Sequence, residues 1–276
     1  MGTRTLEVPA RSELSTFPVA PDPNSKSSLT ERARAGTLRW TGPLLVVVGR
    51  SVFMIAAQVV AVAVIWLRSH TWSWNSAAKW WTVYGTLVDV GCLALMAAYT
   101  RKEGIRLRDL IGRVRIRWGH DLWFGIGLLC LTFPFFIPSA RIASWLAYGN
   151  GQPPLFPGLL AGRVLPLWAI VYTFAVWLLI WSPTEEMTYQ GYVLPRIEAL
   201  SHSRWIAVTI VSFWWALQHV FLPFILDWKY VLWRFVAFLP SMIVMTLLYL
   251  KVRRLPPFFV AHWSMDTIAI FMTLQL

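Results

Sequence analysis

Seven apolar stretches, each near the ~20 residues that cross a ~30 Å hydrocarbon core, occupy almost everything after residue 41. They run at about 42–67, 80–99, 121–148, 164–185, 205–226, 230–250 and 257–276. Segments of that length leave few folds open, and they predict an all-α, polytopic membrane bundle of about seven transmembrane helices. The third stretch is overlong and holds Pro134 and Pro138, so a kink or split there raises the expectation to eight. Composition points the same way: 57% of residues are hydrophobic and 14% charged, where a soluble domain carries roughly a quarter charged. Residues 1–41, rich in Ser, Thr, Pro and Arg and without hydrophobic periodicity, are expected to form a disordered cytoplasmic tail ahead of a transmembrane domain at 42–276. The first apolar run begins near Pro43, too late for a secretory signal.

The net charge is +12, yet the basic residues flank the apolar runs rather than gathering with aromatics on a soluble face, so nucleic acid is not an expected partner. With the amino terminus inside, 18 Lys and Arg fall in cytoplasmic segments and 6 in the opposite loops, Arg50 lying within the first run. That bias predicts a cytoplasmic amino terminus and an external carboxyl terminus. The basic loop from Arg101 to Arg117 is expected to fix topology and touch anionic lipid. Cys92 and Cys130 both lie inside apolar runs and suit packing rather than a disulfide or a metal site.

Charges inside spans are costly and therefore informative. Arg50 and Asp89 lie ~12 and ~15 Å from the cytoplasmic ends of the first two runs at ~1.5 Å per residue, so an ion pair between antiparallel helices is expected. A denser group occupies the carboxyl-terminal half: Glu185 and Glu186 in 183-PTEEMTYQGYV-193, His219 in 213-FWWALQHV-220, and His262 and Asp266 in 261-AHWSMD-266. His262 and Asp266 are four apart, as are Trp215 and His219, so each pair shares a helix face. A carboxylate with a neighbouring imidazole can make water a nucleophile, and a second His supported by an acid can stabilise a developing oxyanion. The set suits hydrolysis of an amide bond. His and Glu donors also allow zinc through Glu185, His219 and His262, although no HExxH sequence is present. Neither a GxSxG elbow nor a Walker loop occurs. Two other classes stay open on the residues alone. One is an ion-coupled transporter using Glu185, Glu186 and Asp89; the other is a non-catalytic membrane protein that binds a partner.

At these residues the chain resembles the CPBP family, the intramembrane proteases that include the CAAX prenyl endopeptidase and bacterial homologues linked to bacteriocin immunity. Two adjacent glutamates, three further residues, then arginine and usually glycine match 185-EEMTYQG-191, with Gln190 at the arginine position. The Phe-x-x-x-His motif matches 215-WALQH-219, with Trp215 for Phe, and a His followed four residues later by Asn or a similar residue matches His262 and Asp266. The resemblance covers about 164–275. It implies that Glu185 and His219 activate water, that His262 and Asp266 support the oxyanion or order the site, and that Glu186 is an accessory carboxylate. Trp215 and Gln190 take supporting positions, a metal-free mechanism is favoured over zinc, and the implied location is the bacterial cell membrane. The implied partners are membrane lipid and a peptide or membrane-protein substrate; oligomeric state is not implied.

Two consequences follow. Gln190 can hydrogen-bond but cannot neutralise Glu186, so Glu186 holds its own proton, a cation such as Arg196 takes over, or activity is lost. Straight helices with the boundaries above also leave Glu185 near a membrane face and His219 ~21 Å deep. A shared site therefore requires the helix to continue past Pro183, or the next one to be shallow or tilted.

Overall fold

The computed structural model describes residues 22–111, 117–152 and 164–273, so the part of the expected tail at 1–21 lies outside the described residues. Every regular element among the described residues is helical. The long helices are α2 (Thr41–Ser69), α4 (Trp81–Lys102), α5 (Trp118–Tyr148), α6 (Leu167–Ser201), α7 (Arg204–Phe221), α8 (Trp228–Val252) and α9 (Pro256–Thr273). Two short ones, α1 (Lys26–Arg34) and α3 (Trp74–Ala78), precede α2 and α4.

Local chemistry sets several boundaries. Pro43 sits in the first turn of α2, where its missing N–H costs no helical bond. Ser203 caps α7 through its hydroxyl on the Ile206 amide, and Asp227 caps α8 by accepting from the Lys229 amide at 2.8 Å. Helix α5 is a single unbroken element with Pro134 and Pro138 inside it, so the expected split does not occur. Its Gly125 lies against α9 so closely that a Cβ there would stand 2.7 Å from the Pro257 carbonyl oxygen and 2.6 Å from the Val260 Cβ.

Five described helices, α2, α4, α5, α6 and α8, are long and apolar enough to cross a membrane. Seven or eight spans were expected; five meet that length and apolarity among the described residues. The difference is chemical: α7 carries Arg204, Gln218 and His219, and α9 carries His262, Ser264, Asp266 and Thr267, and each is only 18 residues long.

Helix α6 is the axis of the bundle. It touches α2, α4, α7 and α9, and α1 packs on its far end. From Thr184 to Ala199 every residue is buried, as expected for a helix enclosed on all sides. Two wider π turns interrupt it, at Thr173–Trp177 and at Met187–Val193, and such turns occur frequently at functional sites. The expected span end at residue 185 is corrected here, because the helix runs 16 residues further, to Ser201, and brings the two glutamates into its middle.

The ends carrying most of the basic residues meet at one pole. Arg254 of the α8–α9 turn reaches Asp121 at the start of α5, and Arg253 reaches Glu198 near the end of α6. Glu103, just past α4, accepts from Arg196 at 2.7 Å, from the Tyr192 hydroxyl at 2.8 Å and from Arg32 at 3.0 Å. Burial pushes the Glu103 carboxyl up, and the Arg196 guanidinium with Tyr192 and Arg32 more than reverses this, leaving it below the ordinary carboxylate range. The segment expected to be disordered is helical over residues 26–34: Ser25 caps α1, Leu29 is fully buried against Leu38 and Ala199, and Asn24 donates to the Gly191 carbonyl at 3.0 Å.

Candidate active site

Midway along α6, the two glutamates point into the bundle, with Glu185 1% exposed and Glu186 fully buried. One Glu185 oxygen, Oε1, accepts from the Trp215 indole Nε1 at 2.5 Å, and Oε2 accepts from Arg50 Nη2 at 3.1 Å. Glu186 Oε1 lies 2.8 Å from His262 Nδ1, while its Oε2 has no hydrogen-bond partner. The other nitrogen of the same ring, Nε2, stands 3.7 Å from Glu185 Oε1 and 3.5 Å from Asp266 Oδ2. Asp266 in turn accepts from the Ser182 hydroxyl at 3.3 Å. The imidazole of His262 is therefore enclosed by three carboxylates drawn from two helices.

His219 is placed differently from the other four. Its Nδ1 lies 2.8 Å from the Trp215 carbonyl, which can only accept, so Nδ1 carries the proton and Nε2 is the free nitrogen. The ring stacks flat on Phe238 with centroids 3.7 Å apart, and it makes no hydrogen bond or ion pair with Glu185, Glu186, His262 or Asp266. It stands one turn along α7 from Trp215, on the face that meets Glu185. His219 and Asp266 are half-buried where the glutamates are sealed, so they mark the open edge of the group.

Neither sequence-derived partner for Glu186 holds. Gln190 donates to the Met245 carbonyl at 3.4 Å, and its own Oε1 has no partner. Arg196 is committed to Glu103 and Asn24 at the pole of the bundle, more than two helical turns beyond Glu186. The cation at the site is Arg50. It makes the expected pair with Asp89, at 3.5 Å, and also the shorter contact to Glu185. The sequence reading missed that second contact, together with Gln218, Tyr189 and Ser182. A charged or amide side chain within an apolar run was the available signal for Arg50 and Gln218; nothing comparable marks Ser182.

Zinc was the alternative for Glu185, His219 and His262. Among the described residues no three His, Cys, Asp or Glu side chains are arranged to hold a metal. Glu185 already faces a guanidinium, His219 is bonded to the Trp215 carbonyl, and both ring nitrogens of His262 face carboxylates.

A multi-helix membrane protein with a buried carboxylate–imidazole cluster is the class that this fold and site define. Residues 166–268 match the family model described as type II CAAX prenyl endopeptidase, Rce1-like, and this segment carries a domain of the CPBP family of intramembrane proteases. Glu185, Glu186, His219, His262 and Asp266 all fall inside the match; Arg50 and Asp89 fall outside it. No curated protein and no solved structure matches the chain.

Proposed function

We propose that the protein is an intramembrane endopeptidase in which Glu185 activates water for attack on a peptide carbonyl. The observation that carries this reading is the 3.7 Å approach of His262 Nε2 to Glu185 Oε1, with the imidazole held from its other side by Glu186 at 2.8 Å. A water within reach of both atoms gives its proton to Glu185 as its oxygen bonds the carbonyl carbon. His262 faces the negative charge that develops on the carbonyl oxygen, with Asp266 and Glu186 setting the ring's orientation. Collapse of the tetrahedral intermediate breaks the C–N bond, and the leaving amine takes the proton held by Glu185. His219, half-open at the edge, is suited to hold the peptide or relay that proton through Nε2.

The substrate in this reading is a peptide or membrane-protein segment that reaches the site past Asp266 and His219, in contact with lipid. Helices α7 and α9, 18 residues each, extend ~27 Å at ~1.5 Å per residue, close to the ~30 Å core. We read them as two further crossings, seven in all, with the amino terminus in the cytoplasm.

Purified protein is to be offered fluorogenic peptides ending in Cys-a-a-X, with and without a farnesyl group, alongside Glu185→Gln and His262→Ala variants that accumulate normally. Cleavage by the wild type and its loss in both variants is expected. Full activity in Glu185→Gln removes the assignment. One observation favours a non-catalytic reading: both Glu185 oxygens already have donors, as in a structural ion pair. That reading predicts no cleavage and full biological function in Glu185→Gln.

A further inference from the structure

Pairing with Asp89 explains the burial of Arg50 only in part. Its side chain is wholly buried in the first half of α2, and burying a guanidinium costs several kcal/mol unless its donors are used. Each of its three nitrogens is engaged. Nε donates to Gln218 Oε1 at 2.7 Å, Nη1 reaches Asp89 Oδ1 at 3.5 Å and Cys92 Sγ at 3.6 Å, and Nη2 donates to Glu185 Oε2 at 3.1 Å. The guanidinium carbon also stands 4.3 Å over the Trp181 ring, one turn before Glu185 on α6.

The contacts are unequal in a way that separates a structural from a functional role. A pair made only to satisfy Arg50 and Asp89 has no need of a third helix, yet the Asp89 contact is the looser one and Asp89 Oδ2 has no hydrogen-bond partner. The better geometry goes to Glu185. A closed circuit then forms around that carboxylate. Arg50 holds Gln218, the Tyr189 hydroxyl donates to the same Gln218 oxygen at 3.1 Å, Tyr189 stacks on Trp215 with an 11° interplanar angle, and Trp215 donates to Glu185. Four buried or half-buried acids gather here (Glu185, Glu186, Asp266 and Asp89); Arg50 is the guanidinium that reaches two of them, Asp89 and Glu185, while His262 faces Glu186 and Asp266.

We propose that Arg50 is the positioning cation of the Glu185 site, fixing Oε2 so that Oε1 faces His262. The working unit then extends beyond the matched segment 166–268 to a helix more than a hundred residues upstream. This rests on the peptidase reading. Arg50 acts through Glu185 and does not touch substrate. Gln190 is neutral and bonded to Met245, so it supplies no cation to either glutamate.

The test uses full-length protein in detergent or liposomes and whichever Cys-a-a-X peptide the wild type cleaves, with Arg50→Lys, Asp89→Asn and the charge-neutral double variant Arg50→Met/Asp89→Asn. The double variant removes Arg50 and Asp89 without changing the net charge but leaves Glu185 without its guanidinium, so a lower melting temperature is expected and kcat is read per folded molecule. Its kcat should fall about 100-fold, the scale of a displaced catalytic group, with KM within about twofold. Asp89→Asn alone, which leaves Arg50 on Glu185, should lose less than about tenfold, and Arg50→Lys should recover part of the loss. A double variant with kcat within about threefold of wild type, or Asp89→Asn losing as much as the double variant, overturns the proposal. Where the double variant does not accumulate, Arg50→Lys decides: unchanged kcat in it also overturns the proposal, because an ammonium cannot hold Glu185, Gln218 and Asp89 together. Activity that survives Glu185→Gln instead defeats the peptidase reading itself, whatever the Arg50 variants do.

Discussion

Replacing Trp215 with phenylalanine isolates one contact at the candidate site. The indole Nε1 donates to Glu185 Oε1 at 2.5 Å, while the ring lies against Tyr189 with centroids 5.2 Å apart. Phenylalanine keeps the stacking surface and removes the donor. A hydrogen bond to a charged acceptor contributes about 1.5–3 kcal/mol. A donor present throughout the reaction affects the rate only through what changes in the transition state. Here its loss frees Oε1 to turn away from His262 Nε2, now 3.7 Å distant. At about 1.4 kcal/mol per tenfold, the bond's range corresponds to a fall in kcat of about tenfold to a hundredfold. Trp215 is fully buried, so the lost ring volume also costs about 1–3 kcal/mol of stability, which lowers the melting temperature rather than kcat per folded molecule. The assay is kcat and KM on size-exclusion-purified protein, repeated in a Glu185→Asp background where the shortened carboxylate no longer reaches the indole. Coupling requires a much smaller loss in that background. Equal losses in both backgrounds, or a kcat within about twofold of wild type, would refute the idea that Trp215 aims Glu185.

Glu103→Gln leaves the fully buried Arg196 without its countercharge and should cost about 3–5 kcal/mol, read as a lower melting temperature in detergent. Because Glu103 titrates below the ordinary carboxylate range when folded, its contribution is complete above the unfolded value near pH ~4.3. It is lost as pH falls through the lower folded value, so the wild-type melting temperature should drop across that window and the Glu103→Gln curve should be flatter there. Ser182→Ala removes the 3.3 Å donor to Asp266; at about 0.5–1.5 kcal/mol for such a bond, kcat should fall by no more than about tenfold, and a complete loss would show that Ser182 does more than orient Asp266. In a cysteine-free background, a cysteine at Thr30 should react with a membrane-impermeant thiol reagent only after the cytoplasmic face is opened, and one at Lys229 should react in intact cells; the reverse pattern inverts the topology.

Much of the helical plan was legible because an apolar run near membrane length has one economical conformation, and run length is a local property. The acids and imidazoles stood out for the same local reason: Glu185, Glu186, His219, His262 and Asp266 are polar side chains in apolar surroundings, with His262 and Asp266 at helical spacing. Local pattern misled where helices end. The span was expected to end at residue 185, just past Pro183, yet α6 carries Pro183 between two π turns and continues to Ser201, because neighbouring helices enclose that stretch completely. Helices α7 and α9 fell below the apolarity of a span since the candidate site draws its polar groups from them. The tail segment at 26–34 became helical through Leu29, which gains its burial only from Leu38 and Ala199 beside it in the fold.

What the sequence by itself determined was the all-helical membrane class and the residues with chemistry to offer. Tertiary structure alone decided who faces whom: that His262, not His219, stands beside Glu185, that Arg196 belongs to Glu103, and that the guanidinium at Glu185 arrives from α2, 135 residues away in the chain. The physical reason is that helical spacing constrains neighbours within about one turn of a single helix, whereas a buried charge must find its partner across helices, wherever packing closes the space around it.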